Sequence, residues 1–344
     1  MEFTFIAEVG VNHGGDIYAA KQMIADIADA GANIVKFQTY KADKLAAVDS
    51  PGYWDFKSEP TRSQIELFRK YDAFGQPEYE ELHTECEAHG VEFLSTPFDT
   101  ECLPWLMPLM KRVKIASADL TNYLLLDAVS GYHLPIIMSV GASTHNEIAG
   151  AIEFIRSRTD APITLLHCML LYPTIPMFSY LSQISKLKAF EEKYDDISIG
   201  YSDHVPVSAM QNDQLLIAYA LGATVIEKHY TSNKDLKGND HYHAVDKIDL
   251  KNVIERLKIA SSAIREADLD EIIELQETAR NNARRSLHFQ SSMKVGQMIT
   301  KTDLVAKRPG IGISPKQFET FAGSVLEVDV EKDQRLQENM FVKK

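Results

Sequence analysis

Cysteine is scarce in this chain: Cys86, Cys102 and Cys168 are its only three, widely spaced and without a CxxC pair. An odd, scattered set excludes a disulfide scaffold and fits a reducing compartment. No apolar run approaches the roughly eighteen residues of a membrane span. The strand-like segment that opens at Phe3 has no basic stretch before it, so the expectation is a cytoplasmic protein with no membrane partner. Positive charge is in deficit, with 36 Lys and Arg against 49 Asp and Glu and a net charge of −13. That argues against a nucleic-acid surface, while leaving room for small anions in a local basic pocket. A glycine-rich GxGxxG turn is missing after the first strand-like run, which weakens a doubly wound, dinucleotide-binding sheet.

What is there is an ordinary globular composition, 45% hydrophobic and 25% charged over 344 residues, long enough for a large domain plus a small one. Short β-rich runs recur at 3–7, 34–37, 92–94, 113–115, 135–138, 163–166, 197–199 and 225–226. Amphipathic helical passages such as 19–30, 78–89, 146–155 and 215–221 separate most of them. Eight strands alternating with helices over about 250 residues predict a (β/α)8 TIM barrel, placed at 1–265. A helical linker is expected at 266–283 and a small β-rich domain at 284–344, too small to bury a core comfortably alone. The connection from Tyr40 to about Gln64, with Tyr53 and Trp54, is too long for a plain barrel loop. It reads as a binding loop whose aromatics either cover a ligand or pin the loop down.

Polar or ionisable groups follow every strand signal: Glu8, Lys36 with Gln38, Ser95 with Thr96, Lys114 with Ser117, Ser139, His167, Ser202 to His204, and Glu227 to His229. In a barrel these converge on one face. Lys36 and Lys114, with Thr96, Ser117, Ser139 and Ser202, make a cationic, hydroxyl-rich cradle for a phosphate and a carboxylate. Each lysine alone also reads as a rim side chain. Glu8 and Asp119 suit proton transfer or orienting a water, or merely pairing with a lysine. His167 reads equally as a satisfied barrel histidine, and Cys168 lacks an evident activating neighbour beyond it. Four of the eleven histidines fall between Gly200 and His243. His204 and His229 follow neighbouring strands, where two imidazoles can share one divalent metal or simply cap their strands.

The motifs Ala7-Glu8-Val9-Gly10-Val11-Asn12-His13, Lys36-Phe37-Gln38-Thr39, Ser95-Thr96-Pro97-Phe98, Lys114-Ile115-Ala116-Ser117, His167-Cys168 with Tyr172-Pro173-Thr174, Gly200-Tyr201-Ser202-Asp203-His204, Glu227-Lys228-His229 and Lys307-Arg308-Pro309-Gly310 together resemble the sialic acid (N-acetylneuraminate) synthase family. They do so in order and over nearly the whole chain. The resemblance implies a barrel fused to a C-terminal antifreeze-like (SAF, β-clip) domain. It implies a transferase that condenses phosphoenolpyruvate with an N-acylated hexosamine, such as N-acetylmannosamine or a 2,4-diacetamido-trideoxyhexose, to a nonulosonic acid and phosphate.

By the same resemblance, His204 and His229 hold a divalent ion, manganese first, with magnesium or cobalt as substitutes. Glu8 and Asp119 join these histidines as catalytic groups. Lys36, Thr96, Lys114, Ser117, Ser139 and Ser202 hold phosphoenolpyruvate, and Gln38, Tyr172 and Asp240 face the sugar. Arg308 reaches from the small domain of a partner chain in a swapped homodimer. Asp119 stands where sialic-acid-forming members tend to have Glu, Leu170 where they have Asn, and Phe37 where many have His, so the sugar stays open. The alternative is another metal-dependent barrel aldolase, which would not need two strand-end lysines among so many hydroxyls.

Overall fold

A computed structural model of the chain describes residues 2–54, 56, 57, 59–172, 174–238 and 240–341. Pro173, quoted above with its motif, Asn239, and 342–344 at the end of the small domain lie outside them. The chain divides into two compact units, Met1–Arg265 and Glu266–Lys344. No helix among the described residues is long and apolar enough to cross a membrane.

The first unit is built on eight parallel strands: β1 (Thr4–Gly10), β2 (Ile34–Thr39), β3 (Glu92–Pro97), β4 (Val113–Ile115), β5 (Ile136–Ser139), β6 (Ile163–Cys168), β7 (Ile197–Asp203) and β8 (Val225–His229). They pair in the order β3-β2-β1-β8-β7-β6-β5-β4. The two edge strands β3 and β4 lie against each other, so the ring is nearly closed, as a (β/α)8 barrel requires. Helices cover the outside, among them Ile17–Ala30, Gln76–Ala88, Tyr123–Ser130, His145–Arg156, Ser182–Lys193, Asp213–Ala220 and Lys247–Ala263. Local chemistry starts them: the Asp16 carboxylate accepts from the amides of Tyr18 and Ala19, and Thr144 with Glu147 forms a capping box. Gly31, at φ +93°, ends the first helix in a conformation that glycine adopts without penalty.

Several strands run further than the β-rich runs predict, and this is a correction with consequences. Glu8, Lys36, Gln38, Thr96, Ser139, Ser202 and His229 lie inside the ladders, not just beyond them. Strand geometry therefore aims them, because alternate residues face opposite sides. Glu8 is directly opposite both Lys36 and His229, and Ser202 is opposite Glu227. One step down, on the same face, are Ile6, Ile34, Leu94, Ile137, Gly200 and Val225, an apolar floor with a glycine in it. A Cβ at Gly200 would come within 2.4 Å of the Val225 carbonyl, so only hydrogen fits there.

The opposite, helix-facing side of β7 and β8 holds a closed polar network. Lys228 and Asp203, both fully buried, form an ion pair. Lys228 also donates to the Val205 carbonyl, while Tyr201 and Gln214 donate to the Asp203 carboxylate at 2.6 and 2.8 Å. A buried pair with its remaining atoms satisfied holds its two strands in one register.

In the second unit, β9 (Ser286–Phe289) and β10 (Leu304–Lys307) pair antiparallel. Isolated bridges join further segments, including Met293 with Val330 and Met298 with Val325. A separate core forms around Leu287, Phe289, Ile299, Leu326 and Leu336. The helical stretch expected as one linker helix is two, Leu269–Leu275 and Glu277–Ala283, and it clusters with this unit.

Lys228→Met should leave Asp203 buried without its cation and cost about 3–5 kcal/mol of stability. The double variant Lys228→Met/Asp203→Asn should recover part of that loss. Urea unfolding of the full chain measures both, and a loss below about 1 kcal/mol for the single variant would show that the pair holds nothing.

Candidate active site

At the C-terminal end of the strands lies a cavity of about 540 Å³, within the ~300–1,000 Å³ range of small-molecule sites. Glu8, Lys36, Gln38, Thr96, Lys114, Ser117, Asp119, Ser139, Tyr172, Ser202, His204, His229 and Asp240 all line it. Every site residue expected in the barrel is thus brought to one place. Arg308 belongs to the other unit, where it is exposed and has neither hydrogen bond nor ion pair among the described residues. His167 does not line the cavity: its Nε2 bonds the Ser179 carbonyl at 2.8 Å and its ring stacks on Tyr201, so it is a structural histidine.

The cavity floor carries two cations and two carboxylates with unequal partners. Lys36 Nζ is 2.7 Å from Glu8 Oε2 and 3.7 Å from Glu227 Oε2. Lys114, 2% exposed, donates to Ser139 Oγ at 2.7 Å and to its neighbour's carbonyl, and it has no carboxylate partner among the described residues. Burial pushes its ammonium down, against support from Glu227. Burial pushes Glu8 up to about 7, because Lys36 is shared and Glu227 repels a second negative charge. Glu227 itself is held low: burial opposes its charge, but Lys114, Lys36 and the Ser202 hydroxyl outweigh burial. Glu8 is therefore the carboxyl that changes charge near neutrality.

Three imidazoles meet at one side. His204, His229 and His243 each offer a ring nitrogen, all within 4.8 Å of one another. Burial, then the neighbouring imidazoles, keeps His229 and His243 neutral, which is the ligating form. At His204, burial opposes charge, but Cys168 at 3.9 Å, the Met169 carbonyl and Asp240 raise it to about 9. A bound cation would expel that proton. Among the described residues, His229 Nδ1 and both nitrogens of His243 have no hydrogen-bond partner, so the donor set fits a divalent ion. Asp240, raised to about 6 chiefly by burial, lies 3.6 Å from His229 and 3.7 Å from His243.

One wall comes from the long connection after β2, through Leu45, Tyr53, Trp54, Leu67, Phe68 and Tyr71. Trp54 both lines the cavity and pins the loop, donating its indole N–H to the carbonyls of Glu59 and Thr61. Glu227 was expected among the converging strand-end groups but without a role of its own, and His243 was not foreseen as a site residue. The cluster of histidines up to His243 was the available signal, but spacing alone does not show which of them returns to β8.

A model of the NeuB family matches residues 23–268. The chain belongs to that family. It is 32% identical to the N,N'-diacetyllegionaminic acid synthase of Legionella pneumophila, over 94% of this chain and 90% of that protein. It is also 32% identical to the synthase of the same name from Campylobacter jejuni, over 97% and 98%. Among solved structures it is similar to the N-acetylneuraminic acid synthetase of Leptospira borgpetersenii, at TM-score 0.68 and 31% identity over 81% of this chain and 93% of that one.

Glu227→Gln removes the charge that repels Glu8 and competes for Lys36, so the Glu8 midpoint should fall below about 7. Carbon-13 NMR of labelled carboxyls reads this directly, and an unchanged or higher midpoint would contradict the assigned cause. In the native chain Glu8's raised value favours the neutral carboxyl in the fold. Its contribution to stability is present below an unfolded value of about 4.3 and fades as pH rises through about 7.

Proposed function

We propose that the chain is a nonulosonic acid synthase that condenses phosphoenolpyruvate with an N-acylated hexosamine and water, releasing phosphate. The sugar is N-acetylmannosamine or a related 2,4-diacetamido-trideoxyhexose. The observation that carries this reading is Lys114, a buried ammonium set among hydroxyls, with no carboxylate partner among the described residues. A site built that way is completed by an anionic ligand. An aldolase acting without an enol phosphate leaves that cation unused.

Lys36, Lys114, Thr96, Ser117, Ser139 and Ser202 hold the phosphate and carboxylate of phosphoenolpyruvate, Gln38, Tyr172 and Asp240 face the sugar, and Asp119 joins Glu8 as a catalytic carboxyl. His204 and His229 would hold the divalent ion, manganese first, which when bound polarises the C1 aldehyde of the open-chain sugar. Carbon 3 of phosphoenolpyruvate attacks that carbonyl carbon and the new alkoxide takes a proton. Water then adds at carbon 2, giving up a proton to Glu8, whose carboxyl is balanced near neutrality for the purpose. The resulting hemiketal phosphate ester breaks its C–O bond, leaving the keto acid and inorganic phosphate. The three free, buried thiols fit a cytoplasmic setting.

Phosphate release from phosphoenolpyruvate, manganese and a panel of N-acyl hexosamines tests this reading, with dependence on both substrates expected. Lys114→Met should weaken phosphoenolpyruvate use by about 30- to several-thousand-fold, the equivalent of about 2–5 kcal/mol, and leave manganese binding unchanged. Sugar cleavage without phosphoenolpyruvate would support the aldolase instead.

The C-terminal unit is, in this reading, an antifreeze-like module that caps the partner's barrel and places its Arg308 at the sugar in a C2 dimer. Pro309 restricts the backbone of Arg308, and the free guanidinium suits docking. Mixing inactive His204→Ala chains with inactive Arg308→Ala chains should restore activity, because half-swapped dimers contain one intact site. No recovery on proven subunit exchange would place Arg308 at its own barrel.

A further inference from the structure

The backbone after β8 leaves the barrel and comes back. Val245 donates its amide to the His229 carbonyl at 2.8 Å, and Thr231 donates to the Val245 carbonyl at 2.9 Å. Tyr230 and Val245 form a parallel bridge. The returning segment therefore extends the end of β8, and the short turn His241–His243 just before it is fixed against His229 at the end of β8 and His204 just past β7. His243 has no accessible surface, and its ring centroid lies 5.3 Å from that of His204 and 4.9 Å from that of His229.

Other buried histidines here show what a packing histidine looks like. His241 bonds Thr231 Oγ1 at 2.8 Å, His167 the Ser179 carbonyl, and His288 the Ser286 carbonyl at 2.9 Å. Neither nitrogen of His243 has a hydrogen-bond partner among the described residues. Leaving both polar atoms of a buried ring unmet is costly, and such a group calls for a partner. Nearest is Asp240, whose oxygens stand 3.7 Å from His243 Nε2 and 3.6 Å from His229 Nδ1. Those separations are too long for hydrogen bonds. Two donors each about 2.1 Å from a metal sit no more than about 4.2 Å apart, so these separations let both groups share one ion, and the three imidazole nitrogens, within 4.8 Å of one another, need only a small inward shift to do the same.

We propose that His243 is a third protein ligand of the divalent ion, completing a three-imidazole site with His204 and His229 beside the Asp240 carboxylate. The inference rests on the metal-dependent reading above and goes beyond its two-histidine site. Three protein donors leave fewer open positions than two. The ion should then stay bound through turnover and washing, and the imidazole-rich set should favour cobalt or zinc over manganese more strongly than two histidines would.

Cobalt and manganese titrations of the full-length chain, followed by the visible cobalt spectrum and by calorimetry, test the proposal without any activity assay. His243→Ala and the closer-sized His243→Gln should each weaken cobalt binding by at least the about 10- to 100-fold that loss of an outer-sphere partner costs. They should also change the ligand-field bands, while melting without added metal confirms that at least one of the two is folded. Wild-type affinity and an unchanged spectrum in a folded variant, with His204→Ala impaired, would overturn the third ligand and leave the two-histidine site standing. No cobalt or manganese binding by the wild-type chain would overturn both.

Discussion

Much of this site depends on an ion pair that never touches it. Lys228 and Asp203 face the outer helices, yet they tie β7 to β8 at the level where Ser202, His204, Glu227 and His229 face inward. Because alternate residues of a strand point to opposite sides, fixing the outward pair in register fixes the inward groups too. Gly200 supplies the complementary constraint, since the neighbouring strand backbone comes too close for any Cβ there.

Within the cavity, chemistry follows from a mismatch in charge partners. Among the described residues, Lys36 is claimed by two carboxylates and Lys114 by none. One acid is thereby left half-compensated and sensitive to pH, and one cation is left half-solvated by hydroxyls. An anionic group would repair the second defect, and a proton moving on or off Glu8 answers the first.

The barrel was legible in the sequence because parallel strands buried on both faces read as short β-branched runs between amphipathic helices. Its site was legible because the residues ending those runs are ionisable far more often than a core tolerates. Strand lengths were not, since polar residues such as Ser202 and Asp203 look like loop when read singly. Only the ladder to Glu227 and Lys228 shows that they are strand. His243 stayed hidden for a related reason: its place depends on a backbone return that hydrogen bonds make and no periodicity announces. That Glu8 pairs with a lysine was one reading open in the sequence; that Glu227 also approaches Lys36 was not, because sequence order hides that the two carboxylates straddle it.

The two halves of the cavity are made of different material. Lys36, Thr96, Ser139, Ser202 and His229 occupy ladder positions, where any shift of register would move every neighbour. Tyr53, Trp54, Leu67, Phe68 and Tyr71 stand on a segment held by its own bonds, among them Gly52 to Arg62 and Trp54 to Glu59 and Thr61. Such a segment changes its residues or its length without disturbing a strand. Residue or length changes there can accordingly reshape the rim while the ladder positions below stay fixed, so the two halves of one pocket differ in how freely they can vary.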